Sequence, residues 1–465
     1  MKGIRHHAIS RHLHLAQAGM KAGWGWTKGL WNTLLISDAE EKQTLRHQNI
    51  EKQIQQLVQD ISQLKGGVVK LGQILATYAD YCFPPVVASA LHQLESDTDP
   101  LSWSCIAPHI EAALGDKRTD LIIEPTPLAA ASLSQAHKAR IKISHQPICL
   151  KILYPDIDKA LLADFSVLKA SLFLWMDKKQ REEMSSRADE IIAVLLEEID
   201  LQKEAQKLLR WGNLLANDDR FIVPQVYEEY STSTILAMSF EQGVSQNDPV
   251  IQTLSQDRRN YLAQNMLELL LSEVFLWGEI QTDPHAGNYR IYIADEYRPQ
   301  DTIVLLDFGS VRILEPSLLK ALRKMILAAY WGDKDELCNG MIQAGFLSED
   351  TANEIKDIFC SVLLGLAEPL NYKMRLEKGE DIPSYTMDEA GNYCWAAAKL
   401  PKRMGKLALK SAFSQHFQFP GVEFMLVARK LAGVYSFIAA LDARFDGSVV
   451  MENIIQRMNN VTEYT

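Results

Sequence analysis

The chain has 465 residues, 47% of them hydrophobic, enough for a sizeable core and for about two to three ordinary domains or one large two-lobed one. A net charge of −11 argues against general nucleic-acid binding. The six cysteines are scattered with no C-x-x-C, the pattern of reduced thiols in a cytosolic-type protein rather than of a disulfide framework or zinc site.

Residues 1–37 contain no Asp or Glu but hold Lys2, Arg5, Arg11, Lys21 and Lys28, so the rest of the chain is more acidic than its total suggests. Trp24, Trp26 and Trp31 among these charges read either as an interfacial helix at a membrane surface or as a packed N-terminal helix. No segment offers the roughly 18 uncharged apolar residues of a spanning helix. From Ile50 the apolar residues fall at 50, 54, 57, 61, 64, 68, 71, 75 and 78, a sustained heptad stripe that Phe83-Pro84-Pro85 stops. Gly66, Lys70, Gln73 and Thr77 form a second stripe on that helix.

Residues 121–153 read as strands broken by a polar turn at "SHQP", and 157–215 as helices. Residues 221–240 return to strand composition and 255–280 to helix. "YRIYIAD" and "DTIVLLDFG" are two strands separated by "EYRPQ", and from about 315 the pattern is helical. "KLPKRMGKLALK" at 399–410 is a basic helix, read as a solvated face or a contact for lipid head groups. The expected divisions are a basic extension at 1–40, a helical extension at 41–118, a strand-containing lobe at 119–243 and a helical lobe at 244–465.

The motifs give this layout a meaning. In "QTDPHAGN", Asp283 and Asn288 are five residues apart, and "LLDFGS" carries Asp307-Phe308-Gly309. Protein kinases use H-R-D-x-x-x-x-N followed by D-F-G. The first Asp orients or deprotonates the attacking hydroxyl, and the Asn and the second Asp hold magnesium. Lys151 in the apolar "ICLKILYP" is comparable to the phosphate-binding lysine of V-A-I-K. Its helix partner is expected in "LLEEIDLQKEAQ", which holds Glu197, Glu198, Asp200 and Glu204. No G-x-G-x-x-G precedes Lys151. Ala129, Ala130, Ala131 and Ser132 stand there instead, where a loop still has backbone N–H groups and a hydroxyl to offer phosphates. No A-P-E follows Asp307, which leaves little room for a protein-substrate platform.

Together these residues resemble the UbiB/AarF atypical kinases. The likeness covers about residues 60–345 and includes Lys70-Leu71-Gly72-Gln73, the alanine-rich loop, Lys151, Glu198-Ile199-Asp200, Glu204, "DPHAGN" and "DFG". It implies an α+β, protein-kinase-like two-lobed fold, with extra N-terminal helices over the active site and a mostly helical C-terminal lobe. It also implies ATP or ADP binding with Mg²⁺, ATPase or kinase-type chemistry, and a role in making ubiquinone or related isoprenoid lipids. The implied setting is cytoplasmic and peripheral to a membrane, on the matrix side of mitochondria in a eukaryote. An isoprenoid or phenolic lipid and other biosynthetic proteins are the implied partners.

By the same resemblance Asp283 is the base or orienting group, and Asn288 and Asp307 bind the metal. Lys151 holds the phosphates and pairs with Glu204, and residues 129–132 cover the nucleotide. Lys70, pointing inward with Gln73, meets Glu198 or Asp200 and restrains the site. Gln281 stands two residues before Asp283 where a His is usual, and Asp156 follows "YP" where a Gly is usual. Two other classes share part of this set: small-molecule phosphotransferases of the aminoglycoside or choline kinase type, and non-catalytic nucleotide-sensing scaffolds.

Overall fold

The computed structural model describes residues 100–131, 133–159, 162, 192, 196–197, 199–404 and 422–462. The expected heptad helix with Lys70 and Gln73, the basic N-terminal segment, Ser132 and Glu198 lie outside them. The chain divides into two units, Met1–Lys203 with Val226–Phe240, and Glu204–Gln225 with Glu241–Thr465.

In the first unit, helix α1 (Trp103–Leu114) leads to strands β1 (Leu121–Ala130), β2 (Ser134–Ile141) and β3 (Pro147–Leu153). Helix α2 (Leu201–Leu214) starts in this unit and runs into the second. Strand β4 (Phe221–Ile222) belongs to the second unit and β5 (Ile235–Ser239) to the first. The sheet order is β1-β2-β3-β5, antiparallel throughout. Ile148, Leu150 and Ile152 alternate along β3 and enter one core with Ile106, Ile110 and Leu114 of α1. A strand repeats every two residues and a helix face about every four, so both sets meet on one side of the sheet. Lys151 therefore lies on the other face, in register with Ala136 of β2 and Leu236 of β5. Pro125 and Pro127 sit on the edge strand β1, where the register shifts. An edge tolerates a residue that cannot donate to the ladder.

Asp156 accounts for its own departure from the usual glycine. Its φ is +55°, the left-handed region, which Asp enters more readily than most residues. Its carboxylate accepts from Lys159 at 2.9 Å. Asp156→Gly is expected to match or exceed wild-type stability, and Asp156→Ala to fall about 1 kcal/mol below it, because Ala keeps the strain and loses the local bond. Urea denaturation of the three proteins checks that order.

The second unit is built on α3 (Pro249–Thr253) and α4 (Gln256–Ser272). Leu269, Leu270 and Leu271 are all buried, so α4 is a central helix and not an amphipathic surface one. It ends in a π-helical turn, Glu273–Trp277, stopped by Gly278 at φ +68°. Strands β6 (Glu279–Gln281), β7 (Tyr289–Tyr292), β8 (Thr302–Leu305) and β9 (Val311–Ile313) follow. Then come α5 (Pro316–Trp331), α6 (Lys334–Gln343), α7 (Asn353–Leu366), α8 (Glu368–Glu377) and the short α9 (Trp395–Ala398). Helices α10 (Val422–Ala440) and α11 (Gly447–Thr462) complete it, and both pack on α4.

The register of the four strands positions the site. β6 pairs with β9, Gln281 opposite Val311, and β7 pairs with β8, Tyr289 opposite Leu305. The loops 282–288 and 306–310 are thus tied at both ends. Thr282 N donates to Ser310 O at 3.0 Å, and Leu306 N donates to Asn288 O at 2.9 Å.

The described basic residues at 399–404 are not simply a solvated face. Arg403 forks onto the buried Glu368, both N–H···O distances being 2.9 Å. The five described cysteines are free, and no described helix is long and apolar enough to cross a membrane.

Candidate active site

Each residue of Asp283-Pro284-His285-Ala286-Gly287-Asn288 has a local reason. His285 Nδ1 accepts from Gly287 N at 3.0 Å, closing a tight turn. A Cβ on Gly287 would stand 2.8 Å from that nitrogen, so the close approach needs glycine. The turn returns Asn288 to Asp283. Asn288 Nδ2 donates to the Asp283 carboxylate (Oδ2, 2.8 Å) and to its backbone oxygen (2.9 Å). With both amide hydrogens engaged, Oδ1 is the side chain's remaining ligand atom.

Gln281 is buried and works as a strut. Its Nε2 donates to Asp283 O at 2.7 Å, and its Oε1 accepts from Tyr289 OH at 3.1 Å. Below it lies a buried ion pair. Lys430 Nζ of α10 is 2.9 Å from Glu273 Oε1, with side-chain exposures of 1% and 0%. Glu273 Oε2 accepts from Gln281 N at 3.1 Å, and Lys430 also reaches Tyr289 OH at 3.4 Å. Burial works to lower the Lys430 pKa, but Glu273 and then Tyr289 outweigh it and raise it above the usual value.

Helix α10 makes two more contacts with the loop. Arg429 donates to Asp283 Oδ1 at 2.6 Å. Gly433 backs onto Pro284, where a Cβ would stand 2.1 Å from the proline Cβ. Sequence reading missed Glu273, Arg429, Lys430 and Gly433. The only local signal was a basic pair entering an otherwise apolar helix.

The second loop is gripped by α2. Asp307 Oδ1 accepts from Gly309 N at 2.9 Å. A Cβ on Gly309 would lie 3.3 Å from that oxygen and 3.5 Å from Glu204 Oε2, so the Asp307 and Glu204 carboxylates flank this glycine. Lys207 Nζ donates to Gly309 O at 2.9 Å, and Trp211 packs on Phe308 with ring centroids 5.4 Å apart. Glu204, Lys207 and Trp211 fall at i, i+3 and i+7, one face of a helix. Asp307 and Asn288 Oδ1 are oxygen donors of the kind that suits Mg²⁺ when phosphate and water fill the other positions. Among the described residues no cluster of three His, Cys, Asp or Glu forms a protein-only metal cage.

The other expected residues lie in the first unit. Lys151 is half-buried in mid-β3. Ala129 and Ala130, expected in a loop, instead end strand β1 opposite Ala136 and Gln135 of β2, and Ala131 follows them into the turn, where its N donates to Ser134 O at 2.8 Å. That is the place of the glycine-rich loop relative to the β3 lysine in kinases. Asp200, expected beside Lys70, caps α2 through Lys203 N at 3.1 Å. A cavity of about 450 Å³ in the second unit is lined by Arg220, Glu268, Trp277 and Arg457 among others, and not by Asp283, Asn288 or Asp307.

Comparison with known proteins agrees with this architecture. The family described as ABC1 atypical kinase-like domain matches residues 93–341, more than half of the chain. The chain is 26% identical to "Atypical kinase COQ8, mitochondrial" of Saccharomyces cerevisiae over 413 residues, covering 87% of this chain and 76% of that one. It is 26% identical to "Probable protein kinase UbiB" of Cronobacter sakazakii over 309 residues, covering 65% of this chain and 55% of that relative. A solved structure, "The complex structure of Rv3197-erythromycin from Mycobacterium tuberculosis", shares the fold with a TM-score of 0.52 at 22% identity, covering 89% of this chain and 98% of that one. A domain match over more than half of the length, joined to relatives of one kind in yeast and bacteria, makes this chain a member of the ABC1 atypical kinase-like family, the UbiB/AarF kinases.

Proposed function

We propose that the protein is an atypical kinase-like ATPase that binds ATP or ADP with Mg²⁺ and supports ubiquinone or other isoprenoid-lipid synthesis at a membrane surface. One observation carries the chemical part: Asn288 is bonded to Asp283 in a loop that strand register ties to the Asp307 loop. Phosphoryl transfer uses a base and two metal ligands on neighbouring loops, and this pairing of loops supports the reading. In this reading Asp283 orients the acceptor hydroxyl, and Asn288 and Asp307 would hold the metal. Lys151 takes the α and β phosphates with Glu204 as its partner, and residues 129–132 cover the nucleotide. Magnesium, when bound, supplies charge neutralisation on the phosphates. The lipid pathway rests on the family and on the names of the relatives.

The test is calorimetric titration with ATP and ADP, with and without magnesium, together with hydrolysis. Asp307→Asn is expected to weaken magnesium-dependent binding by about tenfold or more, worth ~1.4 kcal/mol. Unchanged affinity in that variant sinks the metal assignment. A second reading, nucleotide sensing without turnover, uses the same nucleotide-binding residues. Nucleotide binding with no hydrolysis and no transfer would select it.

A further inference from the structure

The cation that meets Asp283 comes from outside the region the family match covers. The match ends at residue 341, and Arg429 stands on α10, which begins at Val422. The loop itself brings no Lys or Arg, and His285 Nδ1 acts as an acceptor toward Gly287 N. Asp283 divides its carboxylate between two donors, Oδ2 to Asn288 at 2.8 Å and Oδ1 to Arg429 at 2.6 Å. The side chains of Arg429 and Asp283 are 18% and 28% exposed, so solvent screens this pair less than a surface bridge.

The contact is more than a helix anchor, because α10 is anchored without it. Lys430 holds the helix through the buried pair with Glu273, and Gly433 seats it on Pro284. Further along the same face, Phe437 meets the Tyr289 ring edge-on at 5.9 Å. Residues 429, 433 and 437 recur every four positions, so Arg429 is the end of a stripe laid along the loop.

We infer that Arg429 is a positioning residue for phosphoryl transfer, fixing the plane of the Asp283 carboxylate so that Asp283 and Asn288 act as one rigid unit. The inference rests on the kinase-like reading and adds the element that orients its central carboxylate. A carboxylate turns broadly about its last torsion, and one partner on one oxygen leaves it free to rock. A second, charged donor on the other oxygen removes that freedom. Phosphoryl transfer asks the protein mainly for positioning and electrostatics. Loss of Arg429 should therefore lower turnover while nucleotide binding survives.

The experiment uses the full chain: wild type, Arg429→Ala, Arg429→Gln, Arg429→Lys, Asp283→Asn and Arg429→Ala/Asp283→Asn. ATP hydrolysis, KM and ADP affinity are measured, with fold checked by circular dichroism. Arg429→Ala is expected to lose kcat by about tenfold or more, with KM and ADP affinity within about threefold. Arg429→Gln, which keeps most of the stem, shows the same loss if Ala folds poorly, and Arg429→Lys retains part of the activity. Guanidinium ion at tens of millimolar restores kcat to Arg429→Ala and not to Asp283→Asn (about 10 mM upward is needed for a weakly held cation). The double variant is no slower than Asp283→Asn alone, since both changes disable one unit. Wild-type kcat in Arg429→Ala and Arg429→Gln overturns the inference. So does a loss that guanidinium leaves untouched and that adds to that of Asp283→Asn, which marks a structural contact only. A wild type that binds no nucleotide fails the kinase-like reading itself, and is told apart from these by its own titration.

Discussion

Lys430→Met destabilises the protein by about 3–5 kcal/mol, and adding Glu273→Gln recovers most of the loss. Met fills nearly the space of the lysine stem, so the cavity term is small and the effect comes from charge. The substitution leaves Glu273, 0% exposed, without its counter-ion at 2.9 Å. A buried unpaired carboxylate must either stay charged at great cost or take a proton. Burial already raises the Glu273 pKa, and Lys430 is the strongest influence opposing that rise. The double variant replaces the ion pair with neutral groups of similar shape, which is often nearly neutral. The lysine pKa is raised on folding, so its contribution is complete below the ordinary lysine value and is lost only as pH rises through the folded value. The gap between wild type and Lys430→Met therefore persists at neutral pH. Urea titrations of the three proteins measure it, and a Lys430→Met protein within 1 kcal/mol of wild type contradicts the account.

Gly433→Ala is expected to destabilise by about 1–3 kcal/mol, although Ala is the better helix former. The new Cβ would stand 2.1 Å from Pro284 Cβ and 2.3 Å from Pro284 Cγ. A proline ring cannot rotate out of the way. Helix α10 must retreat or the loop must shift, and either change disturbs Arg429 on Asp283. Gly212 in α2 is the control, because its Cβ would meet nothing closer than Val223 Cγ1 at 3.8 Å. There Gly→Ala should stabilise, by up to about 1 kcal/mol. Melting temperatures that rise in both variants would refute the crowding at Pro284.

What the sequence discloses here follows from distance along the chain. The five-residue step from Asp283 to Asn288 is a local matter, and the structure joins those side chains within one turn. The strands on either side of "EYRPQ" were legible because alternation and a polar turn suffice to pair neighbours, and β7 and β8 pair antiparallel. The segment 221–240 was less so. Its β-branched and aromatic residues read as strand, yet Pro224 interrupts it and only Phe221–Ile222 and Ile235–Ser239 form strands. The π-helical turn at 273–277 has no periodic signature, since it differs from the preceding helix only in hydrogen bonds that reach one residue further along the chain. Arg429 is 146 residues from Asp283, and no spacing rule links positions that far apart. A helix containing "LAGVYSFIAAL" reads only as apolar until its partner is known.

The place of α10 bears on how proteins of this kind are cut for expression. A fragment ending at residue 341, where the match to the family's domain model ends, keeps Asp283, Asn288 and Asp307 with their strand pairs. It sheds Lys430 from Glu273, Arg429 from Asp283 and Gly433 from Pro284, and it strips the helices packed on α4. What remains is a charge with no counterpart and a leucine-rich helix opened to water, the makings of an insoluble product. The folding unit extends to where charges are matched and apolar faces covered, and here that boundary lies in the C-terminal helices.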